Sequence, residues 1–298
     1  VSVWGGEDGS YDTSTGVSSN PEYGKVFISI RPTTGVNLTT VQKSNLVAAF
    51  SPYKVASITP VIVDAETTSL ILNVSFNYDS SSTTSTKDEL ASLIFTTITN
   101  YNSNELQEFN SSFRHSKLTG LIDDTDKSIL NNTTTVTMGK FFTPVVASTS
   151  YTLNFNNAFY NPHASHNTDA GGILSSTGFY LNNSLETEYF FDDDGSGNLR
   201  IYSLSSSGVR TYFNATAGTV NYTSGIISTT SLLISAVSDI DSLSSTQIRV
   251  TAIPNSNDVV PVRNQILEID LVNTTTGGIV DAQATTGLGY TVTSTGTT

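Results

Sequence analysis

The densest set of potential metal ligands in the chain is the acidic run from Asp192 to Asn198. Aligned on an EF-hand calcium loop, its residues fit the first half: Asp192, Asp194, Ser196 and Gly197 at positions 1, 3, 5 and 6. Position 12 of that loop needs a bidentate glutamate, but Ser203 stands there. The run therefore favours a hairpin turn between residues 188–191 and 199–204, and Asp192 and Asp194 remain weak candidates for metal binding.

A second set of potential ligands is His163-x-x-His166-x-x-Asp169. The spacing suits a metal site, but the residues lie in a polar stretch without a fourth ligand or a helix that would align the two imidazoles. We therefore interpret the stretch as a solvated loop and keep His163 and His166 as weak metal candidates. The chain has one further histidine, His115, and we expect no bound cofactor.

Motifs for catalysis are absent from the sequence. It contains no cysteine, no Gly-x-Ser-x-Gly nucleophile elbow and no phosphate-binding Gly-x4-Gly-Lys-Ser/Thr loop. A spatial Ser/His/Asp triad is invisible to sequence, but no serine stands out as a nucleophile. The carboxylates fall in predicted turns, where acidic residues are ordinarily solvated. We therefore predict that the protein is not an enzyme.

The composition predicts a β-rich protein with an uncharged polar surface. Only 13% of the residues are charged, whereas Ser, Thr and Asn are abundant, which suits strand faces and turns. The net charge of −13 disfavours nucleic acid and anionic membranes as partners. No stretch approaches the roughly 18 apolar residues of a membrane span.

The first half of the chain reads as an α+β domain. Strand patterns at 25–31, 54–63 and 68–78 alternate with helical patterns, and the tight connection around Asp64 reads as a hairpin. Overlapping capping boxes at Ser85/Asp88 and Thr86/Glu89 predict a helix with one apolar face: Leu90, Leu93, Ile94, Ile98 and Tyr101. A second helix is expected at 104–118, followed by a strand at 128–142. This β-α-β-β-α-β order predicts a ferredoxin-like split βαβ domain over 25–142.

The second half of the chain reads as β-rich. From residue 143 short strand patterns recur between turn residues, which predicts a mostly antiparallel β-sandwich or barrel over 143–273. A Gly/Thr-rich tail or extended arm is expected at 274–298. Residues 1–24 are expected to form a strand and a loop that continue an upstream region, because the chain starts at Val1 without methionine.

The chain's single tryptophan opens the segment Trp4-Gly5-Gly6-Glu7-Asp8. It could be a core residue beside a turn. Alternatively, an aromatic residue flanked by flexible glycines could anchor this segment on a neighbouring part or a partner. In that case Trp4, Glu7 and Asp8 would be interface residues.

This segment and the one that follows carry a family resemblance. Val3–Asp8 and Pro21–Pro32 resemble the ring-forming baseplate wedge subunit of T4-like contractile-tailed bacteriophages, part of the wider baseplate J-like group. Weaker similarities extend along most of the chain: Pro60–Asp64, Leu70–Val74, Asp126–Asn132 and Val262–Leu267. The chain is similar to the C-terminal half of such subunits.

The resemblance implies a structural protein of the virion, assembled in the bacterial cytoplasm. Two copies would pair through this half, which we expect to involve its β-rich part, and would link wedges into a ring around the tail hub. Other wedge and hub proteins would be partners, and the ring would rearrange during contraction. The alternatives are a receptor- or glycan-binding domain of a tail fibre or adhesin, and a hydrolase of surface polysaccharide.

Overall fold

The computed structural model describes residues 1–8, 11–12, 17–18, 21–32, 37–55, 57–163 and 172–281. The helices are α1 (Thr40–Phe50), α2 (Lys87–Glu105) and α3 (His115–Asp123). The strands are β1 (Ser2–Gly5), β2 (Tyr11–Asp12), β3 (Val17–Ser18), β4 (Lys25–Ser29), β5 (Thr59–Val63), β6 (Glu66–Tyr78), β7 (Ile129–Phe142), β8 (Thr152–Asn154), β9 (Leu174–Ser176), β10 (Phe179–Leu181), β11 (Tyr189–Asp193), β12 (Asn198–Leu204), β13 (Arg210–Asn221), β14 (Ile226–Thr229), β15 (Ile234–Val237), β16 (Ile248–Ala252), β17 (Gln265–Ile269) and β18 (Thr275–Val280). Among the helices of these described ranges, none combines the length and the apolar character needed to cross a membrane.

The described chain forms two units. The first comprises Val1–Leu70, Glu105–Phe113 and Val136–Glu268, and the second comprises Ile71–Asn104, Arg114–Thr135 and the described residues from 269 to 281. β6 and β7 contribute residues to both. The expected domain boundaries at 24, 142 and 273 remain predictions.

Helix α2 forms where the sequence predicts it. The hydroxyl of Thr86 accepts a hydrogen bond from the backbone N–H of Glu89 at 3.3 Å, and the Glu89 carboxylate accepts one from the Thr86 N–H at 2.7 Å. This reciprocal capping box satisfies two N–H groups of the first turn. Leu90, Ile94 and Ile98 are fully buried, which contributes about 1.5–3 kcal/mol each, but Leu93 is 44% exposed.

The prediction of a helix at 104–118 is wrong. α2 continues to Glu105, and the next helix begins only at His115, so Arg114, His115 and Lys117 lie at a helix start and not at a helix end. Gln107 and Asn110 take positive φ angles of 66° and 67°, which end helical geometry.

The ferredoxin-like sheet is not confirmed. The order from β4 to β7 is β-α-β-β-α-α-β, with two helices where that fold has one. β4 pairs with β5 in parallel in a three-stranded sheet of order β1-β4-β5, whereas β6 and β7 belong to another sheet, of order β17-β6-β7-β16-β9. The hairpin expected around Asp64 is therefore wrong as well. The free edges of β6 and β7 are occupied by strands from much later in the chain, since β17 and β18 pair with β6 and β16 pairs with β7. β4 and β5 pair with each other instead, and β1 pairs with β4.

The β-rich half is confirmed, with mostly antiparallel strands. Seven of them form a sheet of order β15-β10-β11-β12-β13-β14-β8. β14 and β15 are five strand spacings apart in that order, which would place them roughly 24 Å apart in a flat sheet. The chain from Thr229 to Ile234 spans at most roughly 17 Å. The sheet must therefore curl to bring β15 back towards β14.

One face of this curled sheet packs on other strands of the first unit. Phe142 of β7 and Val250 of β16 meet Phe191, Leu199 and Ile227 around one small internal cavity. All five side chains are buried. Layered packing of this kind agrees with the expected β-rich core.

Candidate functional site

The acidic run forms the predicted hairpin turn. β11 and β12 pair antiparallel from Tyr189/Ser203 to Asp193/Leu199, and Gly195 and Gly197 adopt the positive φ angles that the turn needs.

The carboxylate of Asp194 holds this turn together. It accepts hydrogen bonds from the N–H groups of Ser196 at 2.8 Å and Asn198 at 3.0 Å, and from the Asn198 side chain at 2.6 Å. Burial raises the pKa of Asp194, but the hydrogen bonds from Asn198 and Ser196 outweigh it, so the pKa lies below its ordinary value. Asp194 is thus a turn-forming residue whose charged form is stabilised by the turn.

Asp192 lies in a charged cluster with two arginines. Its carboxylate is 1% exposed and accepts hydrogen bonds from Arg200 at 2.9 and 3.2 Å, from Arg210 at 2.6 Å and from the Tyr212 hydroxyl at 3.0 Å. Two guanidinium groups at this distance repel a cation. The local charge therefore makes Asp192 a structural anion and a poor metal ligand.

Each of these two arginines stacks on one tyrosine ring. The Arg200 guanidinium lies 4.2 Å from the ring centre of Tyr212, and that of Arg210 lies 4.4 Å from the ring centre of Tyr202. Burial and the Asp192 charge both raise the pKa of Tyr212. We call Asp192, Arg200, Tyr202, Arg210 and Tyr212 the Asp192 cluster. The sequence contains a signal for this cluster that our prediction did not include. Arg-x-Tyr occurs on both β12 and β13, and the period of two in a strand places the arginine and the tyrosine of each motif on the same face.

Asp193 makes a separate set of contacts. It is fully buried and accepts hydrogen bonds from the backbone N–H of Leu174 at 3.0 Å and from the Tyr222 hydroxyl at 2.5 Å. Burial, followed by the hydrogen bond and charge of Asp193, raises the pKa of Tyr222. Asp193 thereby ties the hairpin to β9, a role that its place in an acidic run does not reveal.

The histidine candidates remain a prediction. His163 is exposed, and His166 and Asp169 lie outside the described residues. His115 begins α3, with its Nε2 2.8 Å from the carbonyl oxygen of Thr134. Across the ranges that the structure describes, no three His, Asp or Glu residues are grouped as metal ligands would be.

The N-terminal segment is partly packed. Trp4 of β1 stacks on Phe27 of β4, with ring centres 5.8 Å apart, which agrees with the core interpretation of this residue. Glu7 is exposed. Asp8 ends the short 3-10 turn Gly6–Asp8, and its side chain lies outside the described part.

A buried lysine was not foreseen from the sequence. Lys140 of β7 is 3% exposed and donates hydrogen bonds to the carboxylate of Glu66 and the carbonyl oxygen of Asn154. Burial lowers the pKa of Lys140 to about 7. Its position within an otherwise ordinary strand gave no signal of this ion pair.

An open depression in the surface beside the hairpin turn has a polar lining. It is bounded by Asn161, by Gly195–Gly197 and by Thr219–Thr223. The glycan-binding alternative predicts a cleft lined by exposed aromatic residues, but Tyr222 is the one aromatic residue in this described lining.

Two ranges within the first 140 residues are similar to known proteins. Residues 1–63 match the family described as baseplate structural protein gp6, C-terminal domain I, and residues 68–140 match C-terminal domain III of the same protein. The baseplate wedge protein gp6 of Enterobacteria phage T4 is 31% identical over 121 residues, which are 41% of this chain and 18% of that protein. The resemblance to the C-terminal part of a T4-like wedge subunit is confirmed. The similarity at 262–267 lies outside the matched ranges and stays a prediction.

Proposed function

We propose that this chain, which carries the C-terminal part of a T4-like baseplate wedge subunit, pairs with a second copy and links wedges into the ring around the tail hub. Its place is the tail baseplate of the phage virion, and its role there is structural. The similarity to a structural protein favours a role without catalysis. The observation that carries the proposal is the succession of two gp6 C-terminal domains, at 1–63 and 68–140, in one chain.

The proposed ring rearranges during contraction while its subunits stay attached. Such a movement needs rigid bodies joined by stable interfaces. Buried ion pairs support rigidity within the first unit, since the Asp192 cluster and the Lys140–Glu66 pair each hold strands together. The proposed partners are a second copy and other wedge and hub proteins.

The N-terminal segment is our candidate for a contact with such a neighbour. Trp4 is stacked inside the chain's own sheet, so it would orient the segment. Glu7 is exposed beside it and would present its charge to a partner. Asp8 completes the proposed interface set.

Electron microscopy of phage tails labelled with an antibody against this chain tests the proposal. The expected result is label at the baseplate of extended tails and of contracted tails alike. Label along the fibres would support the receptor-binding alternative instead. Loss of label on contraction would contradict a ring whose subunits stay attached.

A further inference from the structure

Strand β18 is an exposed sheet edge in the second unit. It pairs with β6 in parallel over six consecutive residues, from Thr275/Asn73 to Val280/Tyr78, without a shift in register. Within the described ranges, β6 is its one strand neighbour. As far as the structure describes the chain, the backbone N–H and C=O groups on the other side of β18 can therefore pair with another strand.

The position of this edge is well fixed. The Thr275 hydroxyl donates to the side-chain oxygen of Asn73 at 3.0 Å. The Thr274 hydroxyl accepts from the backbone N–H of Leu72 at 3.3 Å. A Cβ at Gly278 would lie 2.6 Å from the ring of Phe76, so the strand packs closely on the second unit. An ordered edge loses little entropy when it binds, which favours association.

The edge also lacks the features that normally prevent pairing. Natural edge strands are protected by charged residues, prolines or bulges. β18 has the sequence Thr-Thr-Gly-Gly-Ile-Val, without a charge or a proline, and its register has no bulge. Ile279 and Val280 are 57% and 45% exposed. Such an edge is suited to accept a strand from a partner.

We propose that β18 pairs antiparallel with β18 of a second copy across a two-fold axis at Gly278, so that the two Gly278 residues face each other. The proposal rests on the proposed pairing of two copies and gives it an interface. In this register Gly277 faces Ile279 of the partner subunit, and Thr276 faces Val280 of the partner subunit. A sheet would then run continuously through both copies.

Charge and side-chain shape favour a second copy as the occupant. Two chains of net charge −13 repel each other, so a self-contact is most favourable where no carboxylate is brought close to another. The register places no charged residues opposite each other within β18, and Asp281 would face the neutral Thr275. Thr276 and Val280 form a favourable β-branched cross-strand pair, and Gly278 lets the backbones approach closely at the axis.

The expected dimer is concentration-dependent. A six-residue strand buries less than the roughly 1,200 Å² of a standard stable interface. Pairing should therefore be reversible in solution and strengthened where a ring holds the copies near each other.

The first test is Ile279→Lys, compared with Val209→Lys by sedimentation velocity over a range of concentrations. Both replaced residues are apolar and exposed, 57% and 62%, but Val209 lies outside β18. A charge on the edge opposes pairing, so Ile279→Lys should weaken dimerisation at least tenfold and Val209→Lys should leave it unchanged. Equal thermal melting curves for both variants would show that folding is intact.

The second test uses engineered cysteines, since the chain has none of its own. In the double variant Gly277→Cys/Ile279→Cys each new thiol lies opposite one of the partner's, within reach of a disulfide, and a side chain at position 277 meets open space within its own chain. The matched control, Thr275→Cys/Ile279→Cys, is out of register. Mild oxidation should cross-link the first variant into dimers and leave the control monomeric.

The outcomes separate this interface from the proposed pairing itself. A wild-type dimer that persists in Ile279→Lys and does not cross-link in register overturns the β18 interface but keeps the pairing. A wild-type chain that stays monomeric at every concentration overturns both. Trimers would likewise exclude the two-fold register.

Discussion

The β11–β12 hairpin and the edge strand β18 use their polar groups in opposite ways. The hairpin carries three consecutive carboxylates, of which Asp192 and Asp193 are buried. Each is hydrogen-bonded: Asp192 to two arginines, Asp193 to Tyr222 and Asp194 to its own turn. β18 carries no charge, and within the described chain it has a strand neighbour on one side only. Charge in the hairpin thus stabilises the fold, whereas the β18 edge that we propose for a second copy is neutral.

Breaking the Asp192 cluster should give the largest loss of stability. Asp192→Asn leaves two guanidinium groups without their counter-charge, one of them the buried Arg200. Removing one partner of a buried pair costs about 3–5 kcal/mol. Urea unfolding followed by the fluorescence of Trp4, which lies in the same unit, measures this loss.

Asp194→Asn is the matched control for that experiment. It weakens turn hydrogen bonds only, so about 1 kcal/mol should be lost. Equal losses for the two variants would mean that the arginines do not depend on Asp192.

The buried lysine should give the protein a distinctive pH dependence. The pKa of Lys140 is lowered from 10.5 to about 7 by burial, so between these values the unfolded chain binds one more proton than the folded chain. Stability should therefore rise with pH across this window, by about 1.4 kcal/mol per pH unit. Between pH 7.5 and 9 the gain should be about 2 kcal/mol, measured by urea unfolding at each pH.

The double variant Lys140→Met/Glu66→Gln removes the titrating pair and serves as the reference. It should lose this part of the pH dependence while the contribution of all other groups remains. If the free energy of unfolding of this variant rises with pH as steeply as that of the wild type, Lys140 stays protonated in the fold throughout this range.

The smallest effect is expected at the start of α2. Thr86→Ala removes the hydroxyl that accepts from Glu89, and loss of such a cap costs about 1 kcal/mol. Ser85→Ala should be neutral, because the capping box that forms is that of Thr86. Thermal unfolding monitored by circular dichroism at the helix band compares the two, and a larger loss in Ser85→Ala would reverse the assignment.

Local signals predicted local structure well. The Thr86/Glu89 box and the spacing of Leu90, Ile94 and Ile98 predicted α2, because capping and helical periodicity depend on neighbouring residues. The Asp/Gly turn at 194–197 was predicted for the same reason. The left-handed conformations of Gln107 and Asn110 have no comparable signal, so the break between α2 and α3 was missed.

Partners distant in the sequence could not be predicted. Alternation of side chains shows which face of a strand is buried but not which strand lies beside it, so the single ferredoxin-like sheet was not found. The same limit applies to Asp192, because its contacts with Arg200 and Arg210 depend on a register that contains shifts between β12 and β13. Lys140 and Glu66 are 74 residues apart and meet only in the folded chain.

Light scattering of the purified chain over a wide concentration range tests the central claim, that two copies pair, most directly. The account predicts a mass that rises from 31.8 kDa towards twice that value as the concentration increases. A mass that stays at that of the single chain at every concentration, or a stable trimer, would contradict it.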